Sequence, residues 1–465
     1  MDNYSVEKKV RILVFGTGMF YERRKQDIPD KVSIVGFLDN DRDIQGHDFD
    51  ESKVYAPEET LNLTFDYVVI ASIHPLEMQR QLYSLRIPYD KILFWEEFIS
   101  KVSGDKVTVF GAKGKNNDKK VAIIVPTINF AGGFMTAELV ADVLNKHGYG
   151  VTFYSPTGND RAIQALAEKG YEIDLMPSIL YPSVSIANSF GDYDVVWANS
   201  AQTIKFVNAV SQFRKVFWWI HEHIRQYDNI KAQYGKGLMQ WKLENVRAFC
   251  VSNIASRDFK QYFKEINTSI LTLGEKDFYD GVCEPHDSVN IAIIGNVSEL
   301  KNQTGLIKAC EFVRNSSGNK FNLWIIGRNG GKKYWESVIK KAKTDIFIRV
   351  FGEKNRTELK KLFHRIDVVA CVSREETFSM SIVEGMMCRK ICLTGTNTGV
   401  AEYISDGNNG FIYETGSMES LTMKLMYIVD NYNELNNVRE NARNTFVREL
   451  SEVVFEKRIS EILKI

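Results

Sequence analysis

The sequence predicts an α/β protein made of three strand-and-helix segments in succession, and three observations carry the prediction. Apolar runs of strand length recur along the chain, among them VRILVF, YVVIAS, VAIIVP, YDVVWANS, KVFWWI, NIAIIG and NLWIIG; their Val and Ile content suits strands buried on both faces. Several runs end in glycine turns, as at Gly16-Thr17-Gly18 and Gly327-Arg-Asn-Gly-Gly331. Between the runs lie amphipathic stretches such as MTAELVADVLNKHGYG, apolar at 135, 139, 140, 143 and 144. A chain of 465 residues is too long for one ordinary core, so roughly two to four domains are expected. The division assigned is a small α/β unit at 1–110, a linker at 111–120, and two larger α/β domains at 121–287 and 288–465. The last helix is a candidate to cross back to the preceding domain.

Bulk properties narrow the class. The chain is 44% hydrophobic and 25% charged, as a soluble globular protein is. Lys plus Arg and Asp plus Glu both total 59, so no global field favours nucleic acid or an anionic membrane. The start, MDNYSVEKKV, lacks the apolar core of a signal peptide, and no apolar run reaches membrane-spanning length. The expectation is a cytoplasmic protein. The aromatic and basic stretch from Trp218 to Trp241 reads as an ordinary helix-and-loop face, with peripheral contact at the inner face of a membrane as the alternative. Six cysteines, at 250, 283, 310, 371, 388 and 392, form no CxxC pair and read as buried thiols.

In the first segment, a strand leads into Gly16-Thr17-Gly18, and Asp39 follows 23 positions after Gly16. This resembles a Rossmann nucleotide-binding unit, although Tyr21 occupies the place of the third glycine. A ligand held by Gly16, Gly18 and Asp39, and a docking or structural module with none, both fit. Asp39-Asn40-Asp41 also spells a D-x-D metal-binding triplet, but its place favours a strand-end acid and a turn. The polar GAKGKNNDKK at 111–120 cannot bury apolar area and reads as the linker.

The stretch from Ile366 to Val400 carries the most chemistry. It reads as strand, loop, short helix and strand, with Glu376 in the loop and Glu384 eight residues later on the helix. Ligands of open parallel sheets settle at strand carboxyl ends against helix N-termini. There the backbone N–H groups of Phe378, Ser379 and Met380 suit a phosphate, while the flanking carboxylates suit hydroxyls. A ligand that is part phosphate and part polyol, such as a nucleotide sugar, meets both demands. A solvated helix face is the plain alternative for two glutamates at this spacing.

Glu376-Thr-Phe-Ser-Met-Ser-Ile-Val-Glu384-Gly resembles the E-x7-E region of retaining glycosyltransferases with the two-domain GT-B fold, family 4 or "group 1". Thr377 and Ser379 stand where that family often has glycine. The resemblance extends over roughly residues 120–465 through motifs in matching order. It implies two Rossmann-like domains facing a cleft, preceded here by a small additional Rossmann-like domain. Glu376 and the amides of Phe378, Ser379 and Met380 are then expected to hold the donor sugar and phosphate, and Glu384 the ribose. Gly132-Gly133, in a loop opening a helix, matches the N-terminal domain's approach to the donor, though a tight turn accounts for it equally. His221, directly after KVFWWI, matches a histidine lining the cleft and is preferred to His223; Ser252 is a further lining candidate. Lys301 matches the phosphate-gripping lysine. Asn296 stands where the family commonly has arginine, and Arg328 is the candidate to compensate. Thr394 to Gly399 and Glu402 match the segment after the second glutamate.

The function implied is metal-independent, retaining glycosyl transfer from a nucleoside-diphosphate sugar to a saccharide or lipid-linked saccharide, with no cofactor. Surface polysaccharide or glycoconjugate synthesis is the expected setting, nucleic acid is not an expected partner, and homo-oligomerisation is left open. Three alternatives stand beside it: a GT-B-type epimerase or phosphorylase, a non-catalytic nucleotide-sugar-binding scaffold suggested by Asn296, and an NAD-dependent redox role for the first unit.

Overall fold

The computed structural model describes residues 9–72, 75–104, 106–111, 118–130, 132–234, 243, 245–318 and 320–465. They form two compact units, one of residues 1–220, 224–248 and 260–267, the other of 221–223, 249–259 and 268–465.

The first unit opens with a sheet of β1 (Val10–Phe15), β2 (Val32–Leu38), β3 (Asp48–Phe49), β4 (Ser52–Tyr55), β5 (Tyr67–Ile70) and β6 (Ile92–Phe94), in the order β3-β4-β2-β1-β5-β6. All neighbours are parallel except the β3–β4 hairpin. Because side chains alternate along a strand, β1 feeds two cores: Ile12 and Val14 pack with Phe37 and Phe98 on one face, Leu13 and Phe15 with Leu82 and Phe94 on the other. The helix after β1, Met19–Arg24, has only six residues. Tyr21, in the place of the third glycine, is buried edge-on to Phe37 with ring centroids 4.9 Å apart, so its ring fills the core where a glycine would let a helix close in.

The next sheet of this unit contains β7 (Thr108–Phe110), β8 (Lys119–Ile124), β9 (Tyr149–Ser155), β10 (Glu172–Leu175), β11 (Val195–Asn199) and β12 (Val216–Ile220), ordered β12-β11-β8-β9-β10-β7, and β13 (Val246–Cys250) and β14 (Thr268–Ile270) follow in the chain. The segment at its far edge, β7, lies inside 1–110 but runs antiparallel to β10. Lys119 and Lys120, read as linker, already belong to β8; residues 112–117 of that linker lie outside the described residues. The five residues of β11 and of β12 are all buried, which accounts for their unbroken apolar character.

The second unit contains a wholly parallel sheet of β15 (Val289–Ile294), β16 (Phe321–Ile326), β17 (Ile348–Gly352), β18 (Val368–Cys371), β19 (Ile391–Gly395) and β20 (Phe411–Tyr413), ordered β17-β16-β15-β18-β19-β20. The chain winds outward from β15 in one direction, then returns to β18 and winds the other way, so the switch point lies between β15 and β18. Its core joins Ile291 and Leu323 of the sheet to Leu306 and Leu425 of covering helices. The last helix, Glu452–Leu463, also belongs to this unit: a Cβ on Gly274 would lie 2.4 Å from that of Phe455.

No helix among the described residues is long and apolar enough to cross a membrane. Trp218 and Trp219, from the stretch considered for membrane contact, are wholly buried in β12, and residues 235–241 of that stretch lie outside the described residues. Five cysteines are buried as expected; Cys283 is exposed, because it sits in the extended segment leading to β15.

Candidate functional site

The loops at the β15–β18 switch point carry most of the residues singled out above. Gly295 and Gly327 end β15 and β16 with φ of 140° and 155°, and a Cβ on Gly327 would lie 1.9 Å from the Gly295 carbonyl oxygen. Only glycine fits there. The two loops are then stitched together: the Val297 N–H donates to the Arg328 carbonyl at 2.9 Å and the Gly330 N–H to the Val297 carbonyl at 3.1 Å. This brings Arg328 beside Asn296, its Nε donating to Asn296 Oδ1 at 3.0 Å. Gln303, wholly buried, holds the loop from below by donating to the Asn296 carbonyl at 2.9 Å and accepting from the Ser298 N–H at 3.2 Å.

Lys301 follows β15 and Glu376 follows β18, and their side chains form an ion pair across the switch point. Ser373 Oγ donates to the same carboxylate oxygen at 3.1 Å. Burial works against the Lys301 charge, but the Glu376 carboxylate outweighs it, and the ammonium is held above the ordinary lysine range. The pairing was not legible in the sequence, which set the two residues in separate roles.

After Glu376 the chain turns into the helix Met380–Met387. Ser379 is its N-cap, but the Ser379 hydroxyl meets Ser381 Oγ at 3.1 Å and leaves the helix end without a side-chain cap. First-turn amides have no partner within a helix, so those of Met380 and Ser381 stay available. Phe378 is buried edge-on to Tyr403 at 6.2 Å. Thr377 clamps the turn. Its Oγ1 donates to the His221 carbonyl at 2.8 Å, and its carbonyl accepts from Ser252 Oγ at 2.7 Å. Gly399 permits this approach, since a Cβ there would lie 1.9 Å from the Thr377 oxygen. His221 thus meets the E-x7-E turn through its backbone. Burial pushes its imidazole down to about 3, so the ring is neutral near pH 7. His223 also approaches this loop, with Nδ1 3.5 Å from Glu375 Oε2.

Glu384 lies a turn further along the same helix and is buried. Burial pushes its carboxyl up to about 7, although Arg356 pulls the other way. Arg356 Nη1 lies 4.0 Å from Glu384 Oε1, while its Nη2 pairs with buried Glu275. Neither Arg356 nor Glu275 was singled out from the sequence. The signal that was there is positional: Arg356 opens a helix just past the end of β17, where ligand-facing residues of such sheets gather.

Other candidates lie in the first unit. Gly132 and Gly133 are the first two residues of the helix Gly132–Lys146, not a loop preceding it. The Gly133 carbonyl accepts from Asn199 Nδ2 at 2.6 Å and Thr136 Oγ1 at 2.8 Å, which fixes the helix start to the end of β11. A Cβ on Gly133 would meet nothing within 4 Å. At the first glycine turn, Asp39 Oδ2 accepts from the Thr17 N–H at 3.0 Å and from Thr17 Oγ1 at 2.7 Å. Its other oxygen accepts from the Asp41 N–H at 3.0 Å, so Asp39 caps its own turn. No group of three or more His, Cys, Asp or Glu side chains among the described residues is placed to hold a metal ion.

Residues 282–445 match the family model "Glycosyl transferases group 1", and residues 8–93 match "C2185-like, N-terminal". The "Uncharacterized glycosyltransferase MJ1178" of Methanocaldococcus jannaschii is 28% identical over 123 residues, 26% of this chain and 35% of its own length. Among solved structures, a glycosyltransferase from Rickettsia africae superposes with a TM-score of 0.62 at 18% identity, covering 75% of this chain and 98% of that one. Anabaena Alr3699/HepE in complex with UDP-glucose superposes with a TM-score of 0.61 at 15% identity, covering 74% and 99%. The chain therefore has the GT-B fold of these glycosyltransferases, and its residues 282–445 form a glycosyl transferases group 1 domain.

Proposed function

We propose that this chain is a retaining, metal-independent family 4 glycosyltransferase, moving a sugar from a nucleoside-diphosphate donor to a saccharide or lipid-linked saccharide acceptor. The observation that carries the reading is the β15–β18 switch point. A charged lysine, a carboxylate and the uncapped N-terminus of an eight-residue helix converge there, within the segment that matches group 1 glycosyl transferases. That set suits a diphosphate joined to a sugar better than either part alone.

In the step proposed, the bond between the anomeric carbon and the diphosphate oxygen breaks and its electron pair leaves with the nucleoside diphosphate. The acceptor hydroxyl oxygen bonds to that carbon from the same face, and its proton passes to the departing phosphate oxygen. Catalysis then rests on neutralising the leaving group, a task for Lys301 and the amides at Ser379 and Met380. Glu376 accepts from sugar hydroxyls once its lysine turns to phosphate. Glu384 accepts from the ribose. Arg328, beside Asn296, supplies the second cation in place of the family's arginine. His221 is proposed to act as a neutral group beside the transferred sugar. Gly132 and Gly133, with the free space above Gly133, are proposed to accommodate the donor. The setting proposed is cytoplasmic surface-polysaccharide synthesis.

The test is thermal stabilisation by UDP, GDP, dTDP, CMP and NAD, followed by transfer assays with sugars of whichever nucleotide binds. Stabilisation by one nucleoside diphosphate with release of sugar to an acceptor supports the reading. Binding without transfer or hydrolysis replaces it with a non-catalytic scaffold, and stabilisation by NAD alone removes it.

A further inference from the structure

Arg356 answers to two buried carboxylates that come from distant parts of the chain. Glu275 and Glu384 are 5% and 7% exposed, and the one guanidinium pairs with the first and lies 4.0 Å from the second. Two buried carboxylates sharing one cation cannot both ionise freely, and their titrations are coupled. Glu275 is fixed independently. Its N–H donates to the Leu450 carbonyl and its carbonyl accepts from the Glu452 N–H, both at 2.9 Å, so it is tied to the segment that opens the last helix. Arg356 is placed by a capping box, with Asn355 and Glu358 closing the helix start beneath it. Both ends of the arginine's reach are therefore set by backbone, and Glu384 takes what is left of the positive charge.

We propose that Arg356 is a positioning residue for the nucleotide site: divided between Glu275 and Glu384, it favours the ionised form of Glu384 and orients that carboxylate to accept hydrogen bonds from a ligand diol. The inference rests on the donor-site reading above for the ligand, and on the contacts alone for the coupling. Burial drives the Glu384 carboxyl up and Arg356 opposes it, while Glu275 adds to the rise. The remaining groups nearby are the Cys388 thiol, which feels Glu384, and Glu452, which faces Glu275 from the last helix. Glu275 and Glu384 thus compete for Arg356, and removing either competitor has a definite sign.

The experiment follows Glu384 in the full chain as the protonated-carboxyl infrared band that disappears in Glu384→Gln. The affinity for UDP, GDP and dTDP is measured in parallel from about pH 5.5 to about 9. Arg356→Gln is expected to raise the Glu384 midpoint by about one unit and to move the onset of nucleotide binding up in pH by as much, with Arg356→Lys intermediate. Glu275→Gln is expected to lower both. A protein that merely lost packing would weaken binding in every variant without opposite shifts. Midpoints that stay put, or that move the same way in Arg356→Lys and Glu275→Gln, overturn the proposal. So does nucleotide binding that ignores midpoints that have moved. Opposite midpoint shifts with no nucleoside diphosphate bound at any pH uphold the arginine's hold on Glu384 and overturn the donor-site reading instead.

Discussion

In the first sheet β1 lies beside β5, and in the third β15 lies beside β18; both arrangements reverse the winding of the chain at that point, which is where such sheets bind ligands. The loops at the two places differ. At the first, a Cβ on Gly16 would lie 2.6 Å from the Ala71 carbonyl oxygen, so the turn at Gly16 closes on Ala71, directly after β5. The Asp39 carboxylate is occupied by Thr17 and by the Asp41 N–H. At the third sheet, the close glycine contact is between the loops after β15 and β16, on the other side of β15. The switch point itself faces Lys301, Glu376 and an uncapped helix end. A glycine turn followed by an acid can be a self-contained cap. Opposite charges delivered by loops from different strands have no such local explanation.

The strongest test of this contrast is a pair of substitutions. Lys301→Ala is expected to cut sugar transfer by about 10²–10³-fold through the loss of a charge that meets the leaving group, whereas Asp39→Asn is expected to stay within about twofold. Initial rates decide it, and equal losses would erase the distinction between the two places. Next in size is backbone strain. Gly327→Ala forces a side chain into a backbone oxygen at positive φ and is expected to cost about 3 kcal/mol, seen as a lowered denaturation midpoint. Gly18→Ala, at φ −79° with open space around it, is expected to change stability by about 0.5 kcal/mol or less.

A smaller effect follows from Glu384. Its carboxyl is raised to about 7, so the folded state binds a proton that the unfolded chain has already released. The associated stability is complete below the ordinary glutamate range and is lost as pH rises toward 7. Glu384→Gln removes that dependence. Its unfolding free energy is expected to gain on the parent by on the order of 2 kcal/mol between about pH 4.5 and pH 8, in denaturant titrations at several pH values. The least effect is expected at exposed Arg328: Arg328→Gln should weaken nucleoside-diphosphate binding about threefold, and more at low salt.

Strand positions and glycine turns were legible because buried parallel strands are apolar throughout and because their ends need positive φ. The E-x7-E spacing was legible for a similar reason: both glutamates ride on one short turn and helix. What escaped was partnership across the sheet. Lys301 and Glu376 are 75 positions apart, and Glu275 lies in the segment before β15 while Arg356 and Glu384 sit on two different helices. No local period records such meetings. The helix start at Gly132 escaped for another reason, since two glycines favour a loop by propensity alone. Here Asn199 and Thr136 hold the Gly133 carbonyl and settle the local conformation in favour of helix.

The stitched pair of loops after β15 and β16 has a consequence for anyone seeking to redesign donor preference. Gly295 and Gly327 leave no gap between them, and Val297, Arg328 and Gly330 exchange backbone hydrogen bonds. Grafting residues 295–301 from another transferase would import a loop shaped for a different neighbour. The transplantable unit is both loops together, 295–303 with 327–331, and a chimera that carries one alone is expected to misfold locally before its specificity can be read.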